Sequence, residues 1–373
     1  MFIVLFAVIF LILLLGLWYL FLRFRKIFSR GIDPKTLSKK EKTRCSVLAA
    51  VPVVIMTVLC VVRPYIFIIP LLHLILIWMI LECVSGLIEK YLLGKSEKKK
   101  KVPFWLTGAL ALLITGVYMS IAYYLAVHVV ETRYEIHTKK DVPALRIALI
   151  ADSHLGACFD GEGFAEHMKT IEEQKPDLLV ISGDFVDDDS KRKDMVRAVQ
   201  ALGEMDLPYG VFYVPGNHDV GYGNSRDFTY EEMLDEMSRN HVMVLEDEVV
   251  ELGSGYYLLG RKDRSMERMD ISDLNQDLDP DRFLIVLNHQ PNDYKAEEAA
   301  GCDLVLSGHT HGGQMFPIRP IGELIGANDA TYGVKKKGNT TFIVTSGIAD
   351  WAIPYKSGTI SEYCLIDVIP DET

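Results

Sequence analysis

Two kinds of hydrophobic pattern divide the chain. Up to residue 130 the apolar positions form long unbroken runs, whereas beyond it they form runs of four to six separated by stretches of helical spacing. The first kind predicts membrane spans, because crossing a bilayer takes about 20 consecutive apolar residues. Four are expected, over residues 2–22, 46–62, 65–81 and 104–130, with Arg63 and Pro64 making the tight turn between the second and third. The first run lacks the basic leader and small-residue cleavage site of a secretory signal, so it reads as a retained span. Trp105, Tyr123 and Tyr124 fall near the ends of the fourth, where amphipathic rings favour the membrane–water boundary.

The second kind predicts one α/β domain over residues 131–373, with almost no linker after the last span. An edge strand begins at Tyr134. Further short strands are expected at 145–150, 177–181, 210–214, 283–287, 303–306 and 341–344. Helical spacing appears at 164–174, 195–205, 230–239 and 294–300. Continuously apolar strands interleaved with helices imply sheets covered on their faces.

Charge sharpens the division. Residues 1–130 carry 16 Lys and Arg against 5 Asp and Glu, whereas residues 131–373 carry 23 against 45. So acidic a C-terminal part argues against nucleic acid as a partner. The basic residues of the first part gather in two loops, nine in 23–45 and six in 89–102, the latter including Lys98–Lys101. By the positive-inside tendency both loops are cytoplasmic, which puts the N-terminus and everything after Val130 outside, in a multi-pass plasma-membrane protein. His73 and Glu82, in or near the third span, are the ionisable residues that a transport pathway would use, but the spans are otherwise too apolar for a transporter. The cysteines (45, 60, 83, 158, 302 and 364) show no CxxC spacing, which implies neither a disulfide framework nor a zinc–thiolate site.

The chemistry sits where the short strands end. The strand at 303–306 runs into Ser307-Gly308-His309-Thr310-His311-Gly312-Gly313-Gln314. Earlier strands run into Asp152-Ser153-His154, Gly183-Asp184, Gly216-Asn217-His218-Asp219 and His289. Each alone has an ordinary role: Asp152 could cap a turn, and Asn217 could sit in one. Together one kind of position supplies two Asp, one Asn and five of the ten His. In open α/β sheets ligands gather at the carboxyl ends of strands. Oxygen and imidazole donors without thiolate suit Mn²⁺, Fe or Zn²⁺ in a catalytic site. Seven ligands drawn from such a set are too many for one ion and fit two ions about 3.5–4 Å apart, as used for displacement at phosphorus.

These blocks, Asp152-x-His154, Gly183-Asp184-x-x-Asp187, Gly216-Asn217-His218-Asp219, His289 and Gly308-His309-x-His311, resemble in order those of the calcineurin-like metallophosphoesterase superfamily. The Gly308–Gln314 ending and the N-terminal membrane segment look like its bacterial membrane-associated phosphodiesterase branch. The resemblance covers residues 145–350 and implies a layered α/β sandwich of two packed mixed β-sheets flanked by helices. It also implies Asp152, His154 and His311 on one divalent ion, Asn217, His289 and His309 on a second, and Asp184 bridging them. Metal-activated water would attack phosphorus, His218 would protonate the leaving oxygen, and Asp219 would orient His218. Asp187 reads equally as a positioning residue or as part of a solvated acidic run.

Two departures bear on substrate. Asp188 stands where many members of the superfamily carry Arg, and the C-terminal glycine turn leads to Trp351 and Lys356 rather than Arg. Lys356 and Arg261 are therefore the candidate phosphate contacts. The function expected is hydrolysis of phosphate mono- or diesters, with lipid-linked or envelope-associated phosphates among the candidates. A hydrolase like UDP-2,3-diacylglucosamine pyrophosphatase is an alternative, though such substrates are cytoplasmic and the loop charges place this domain outside. A non-catalytic metal-binding membrane receptor or scaffold is the other.

Overall fold

The computed structural model describes residues 2–32, 36–91, 103–221, 225–253, 255–316 and 319–371, with side chains from residue 10 onward and not at 104. The chain forms two compact units, residues 1–121 and 122–373.

Four helices come first: α1 (Phe2–Phe28), α2 (Lys39–Val62), α3 (Pro64–Tyr91) and α4 (Phe104–Val127). Among the described residues, Lys39–Val62, Pro64–Tyr91 and Trp105–Val127 are long and apolar enough to cross a membrane. The first expected span, residues 2–22, lies on α1. The helices outrun the apolar windows for local reasons. Ser38 Oγ accepts from the Glu41 N–H while the Glu41 carboxylate accepts from the Ser38 N–H, so a capping box starts α2 at Lys39. By contrast α4 stops at Val127, because the first strand begins at Val130. Glu82 accepts a 3.2 Å hydrogen bond from the Tyr19 hydroxyl and pairs with Arg23 at 2.8 Å. The His73 Nδ1 donates to the Ile69 carbonyl at 2.8 Å. Both candidate transport residues thus have partners within the module. The Lys98–Lys101 run lies outside the described residues.

The second unit is a sandwich of two six-stranded sheets. The strands are β1 (Val130–Thr138), β2 (Leu145–Ile150), β3 (Leu178–Ser182), β4 (Val211–Val214), β5 (Val242–Val244), β6 (Glu248–Leu252), β7 (Tyr256–Gly260), β8 (Phe283–Leu287), β9 (Leu304–Ser307), β10 (Gly333–Lys337), β11 (Thr340–Val344) and β12 (Glu362–Pro370). The helices are α5 (Gly161–Glu172), α6 (Arg192–Gly203), α7 (Asn217–Val220), α8 (Tyr230–Arg239), α9 (Ile271–Asn275), α10 (Tyr294–Ala299) and α11 (Ile321–Leu324). One sheet runs β1-β12-β2-β3-β4-β5 and the other β10-β11-β9-β8-β7-β6, both mixed. The expected edge strand is β1, paired parallel with β12 along all nine of its residues.

Alternation along each strand explains the layering. In β2, Ile147 and Leu149 face the other sheet while Ala148 and Ile150 face the helices, and β3 repeats this with Leu178/Val180 against Leu179/Ile181. On the opposite sheet Ile285 and Leu287 point inward and Leu284 and Val286 outward. Successive side chains take opposite faces, so a strand apolar throughout must be covered twice. Four layers result, and the parallel strands β2, β3, β4, β8 and β9 deliver their carboxyl ends to one rim.

Candidate metal centre

Each proposed ligand follows one of those strands within a few residues. Asp152 and His154 follow β2, Asp184 follows β3, Asn217 opens α7 after β4, His289 follows β8, and His309 and His311 follow β9. The backbone there is unusual. Asp152, His154, Asp184, His309 and His311 all have positive φ, from 36° to 72°. That region is sparsely used by non-glycine residues and tends to persist at functional sites. Glycine provides the close approach: a Cβ on Gly183 would stand 2.6 Å from His289 Nδ1.

Ligand atoms fall within 4.8 Å of one another in the group Asp152, His154 and His311, and again in the group Asp184, His289 and His309. Asn217 joins the second group, with Oδ1 3.1 Å from His289 Nε2. Asp184 lies between the groups, its Oδ2 3.1 Å from His289 Nε2 and 3.7 Å from His154 Nε2. The seven residues are buried, apart from half-buried His309. Nε2 of His154 is buried without a hydrogen-bond partner, while Nδ1 of His154 faces Asp187 and Nδ1 of His311 faces Asp350. Such an unpaired atom is costly in a protein interior, and a cation is the partner that an unpaired imidazole nitrogen accepts. The residues therefore fit a two-ion centre.

Electrostatics point the same way. Burial disfavours charge on His289, yet Asp184 pushes it up to about 10. Burial, helped by His289, drives His309 down to about 4. His311 is raised against burial by Asp152 and Asp350. Without a cation, protons offset the carboxylates, and metal binding would displace them.

A third group meets the same distance criterion: His154, Asp187 and His218. Here the His218 Nδ1 donates to Asp187 Oδ1 at 3.0 Å, and the other carboxylate oxygen stands 3.5 Å from His154 Nδ1. Burial alone would raise Asp187, but the two imidazoles hold it well below the usual carboxylate range. His218 is raised in turn: burial opposes its charge, but the Asp187 hydrogen bond and the charges of Asp184, Asp187 and Asp219 together outweigh it. The His218 imidazole is thus tied to Asp187. The Asp219 carboxylate is turned to the backbone, accepting from the Gly216 and Val186 N–H groups at 2.8 and 3.0 Å.

Arg261 and Lys356, expected at phosphate, are both committed elsewhere. Arg261 is 3% exposed and paired with Asp293 at 2.9 Å. Lys356 is fully buried, donating to the Ser346 carbonyl at 2.6 Å and standing 3.3 Å from Asp350. A buried cation needs a partner, and each has one within the protein. Asp350 itself went unread in the sequence. Its Oδ1 is 3.6 Å from His311 Nδ1, so it backs a proposed ligand. The available signal was an acid three residues past the Gly347 turn that ends β11. Trp351, 46% exposed, brings its ring to 5.3 Å from that of His218 at the mouth.

With this geometry in view, comparison with known proteins gives the class. A model of the calcineurin-like phosphoesterase family matches residues 145–313. The uncharacterized metallophosphoesterase Cj0846 of Campylobacter jejuni is 31% identical over 289 residues, 74% of this chain and 74% of that protein. A metallophosphoesterase of Helicobacter pylori is 30% identical over 232 residues, 61% of this chain and 60% of its own length. The bovine transmembrane protein with metallophosphoesterase domain is 30% identical over 292 residues, 72% of this chain and 63% of that one. The chain thus spans less than two thirds of the latter two relatives. It belongs to the calcineurin-like phosphoesterase family, as a phosphoester hydrolase carried on apolar helices of membrane-crossing length.

Proposed function

We propose that the chain hydrolyses phosphate mono- or diesters with two divalent ions, Mn²⁺, Fe or Zn²⁺, held by Asp152, His154 and His311 on one side and by Asn217, His289 and His309 on the other, with Asp184 shared. The observation that carries this is the buried, unpartnered Nε2 of His154, set among candidate ligands from five strand ends. Bound there, the ions supply the Lewis acidity that lets water attack phosphorus at neutral pH. Asp187 fixes His218 through Nδ1, and His218 delivers the proton on Nε2 to the departing oxygen. Trp351 narrows the approach to that nitrogen.

The charge of the loops 23–45 and 89–102 supports a catalytic unit, residues 131–373, on the extracytoplasmic side of the plasma membrane. Its substrates then lie at or near the outer membrane surface. Purified full-length protein should hydrolyse an aryl phosphodiester when given manganese or zinc and lose that activity to chelator. Elemental analysis that finds no stoichiometric ion after loading with manganese, iron and zinc in turn would refute the reading. Cysteine labelling of intact cells at position 188 tests the orientation, and a site reached only after permeabilisation reverses it.

A further inference from the structure

Beside the metal centre the second unit leaves an apolar surface uncovered. Phe316, Leu324 and Ile325 are 70, 80 and 72% exposed, and Ile321 and Trp351 are 45 and 46% exposed. Ile321, Leu324 and Ile325 stand at i, i+3 and i+4 on α11 and its C-cap, hence on one face. A patch of large aliphatic and aromatic side chains at the rim of a site marks a contact with something apolar.

Hydrogen bonds inside the second unit say what that is. The last turns of α4 carry half-exposed Tyr123 and Tyr124, the residue type that marks the membrane–water boundary. From there the Lys356 N–H donates to the Ala122 carbonyl at 2.9 Å and the Ser361 N–H to the Leu125 carbonyl at 2.9 Å. The same loop then grips the apolar surface. The Ser357 N–H donates to the Gln314 carbonyl at 2.8 Å, the Phe316 N–H to Ser357 Oγ at 3.0 Å, and the Gln314 side-chain amide to the Trp351 carbonyl at 3.1 Å. Gln314 is three residues past His311. A few short bonds therefore join the end of a span, Phe316 and Trp351 of the apolar surface, and the ligand loop.

We propose that Phe316, Ile321, Leu324, Ile325 and Trp351 dip into the bilayer surface from which α4 emerges, and that the substrate is a phosphoester headgroup carried by a membrane lipid. The substrate half rests on the phosphoesterase reading; the insertion half does not. Trp351 links the two, belonging to the surface and standing against His218. A headgroup at the boundary would need to leave the lipid layer only by the depth of that ring, while its acyl chains stay among lipid tails.

The test uses full-length protein in nanodiscs of phosphatidylcholine and phosphatidylglycerol. Leu324→Cys carries an environment-sensitive fluorophore, with the identically treated wild-type chain as blank for its native cysteines. Insertion predicts blue-shifted emission quenched by nitroxide lipids and shielded from aqueous iodide. Water-like emission quenched by iodide overturns it, and so does energy transfer between labels on two copies without lipid quenching, which would assign the surface to self-association. In the second arm, the double variant Leu324→Asp/Ile325→Asp is assayed on a phosphodiester lipid in vesicles and on a soluble aryl phosphodiester. Lipid hydrolysis should fall about tenfold, with the soluble rate within about twofold of wild type, as loss of interfacial apolar area predicts. Equal effects on the two substrates overturn the lipid assignment. A wild-type protein that turns over neither substrate sinks the phosphoesterase reading and the lipid assignment with it, and the fluorescence result still decides insertion by itself.

Discussion

The two halves of the proposed metal centre are held together differently. Around His289 the second half is already bonded: Nε2 stands 3.1 Å from both Asp184 and Asn217, and Nδ1 is 2.7 Å from the Ser182 carbonyl. Around His154 the first half is not. Its nearest carboxylates stand 3.5 and 3.7 Å away, and His311 is 3.8 Å from Asp152 and 3.6 Å from Asp350. Hydrogen bonds to ionised groups are shorter than that. One half is assembled by the protein's own donors and acceptors, whereas the other keeps its donors apart and aimed at a common point. A cation is structural glue for the first and a replacement for protons in the second. Asp184 stands within 4 Å of imidazoles from both halves, so the largest effects should come from it.

Asp184→Asn should abolish the contrast. It removes the shared negative charge, and turnover should fall by about 10⁴-fold or more, as when one member of a concerted catalytic set is lost. Elemental analysis should show ion depletion in both halves, and retention of a full ion in either would break the picture of a shared carboxylate. His218→Ala sits next in size. With the ligands intact, ion content should match wild type while kcat drops by about 10²–10⁴, the range of a lost general acid. Unchanged kcat in that variant removes His218 from the chemistry.

The same contrast shows what the sequence could tell. All seven proposed ligands stand out in the sequence because they recur after apolar strands, and period-2 burial makes those strands apolar on both sides. The two sheets needed the family resemblance, since strand order leaves no mark in local pattern. Strands bearing no chemistry at their ends were harder. In β6 the residues Glu248 and Glu251 interrupt the apolar run, and in β10 three lysines follow Gly333 and Val334. Both are edge strands, half in water, and so carry no strong signal. The C-terminal strand β12 is apolar enough to read, but only its pairing with β1 and β2 shows its place between them. Residue roles were harder to read than residue identities. Arg261 and Lys356 are cations near a phosphate site by sequence, yet burial had already paired them. Asp187 and Asp219 are both acids near His218, and only the turn of α7 decides which faces it.

Asp350→Asn sharpens the comparison by acting on one half alone. Asp350 stands behind His311 and has no counterpart at His289, which leans on the Ser182 carbonyl. Loss of such a backing carboxylate weakens metal affinity by about 10–100-fold. Titration should therefore show one ion binding weakly and the other as in wild type. Lys356 keeps its bond to the Ser346 carbonyl in this variant, and a thermal melt checks that the chain stays folded. Equal weakening at both ions would erase the distinction drawn between the halves.

The smallest effect lies behind the second half, in the layer that supports β8. Glu297 is fully buried, with Oε1 accepting from Asn288 Nδ2 at 2.7 Å, Oε2 unpartnered and Arg261 3.8 Å away. Burial pushes it up to about 7, although Asn288 and Arg261 pull the other way. The folded state therefore holds this proton at a pH where the unfolded chain, near 4.5, has released it. Its contribution to stability is fully present below about pH 4.5 and is lost as pH rises through about 7, a change on the order of 3 kcal/mol for so buried a group. Glu297→Gln keeps an oxygen for Asn288 and has no proton to lose. Chemical denaturation of the two proteins across pH 5–8 should give a wild-type stability that declines relative to the variant. Parallel curves would mean that Arg261 keeps Glu297 ionised, and that the buried Arg261–Asp293–Glu297 cluster, rather than a protonated acid, supports the His289 side of the centre.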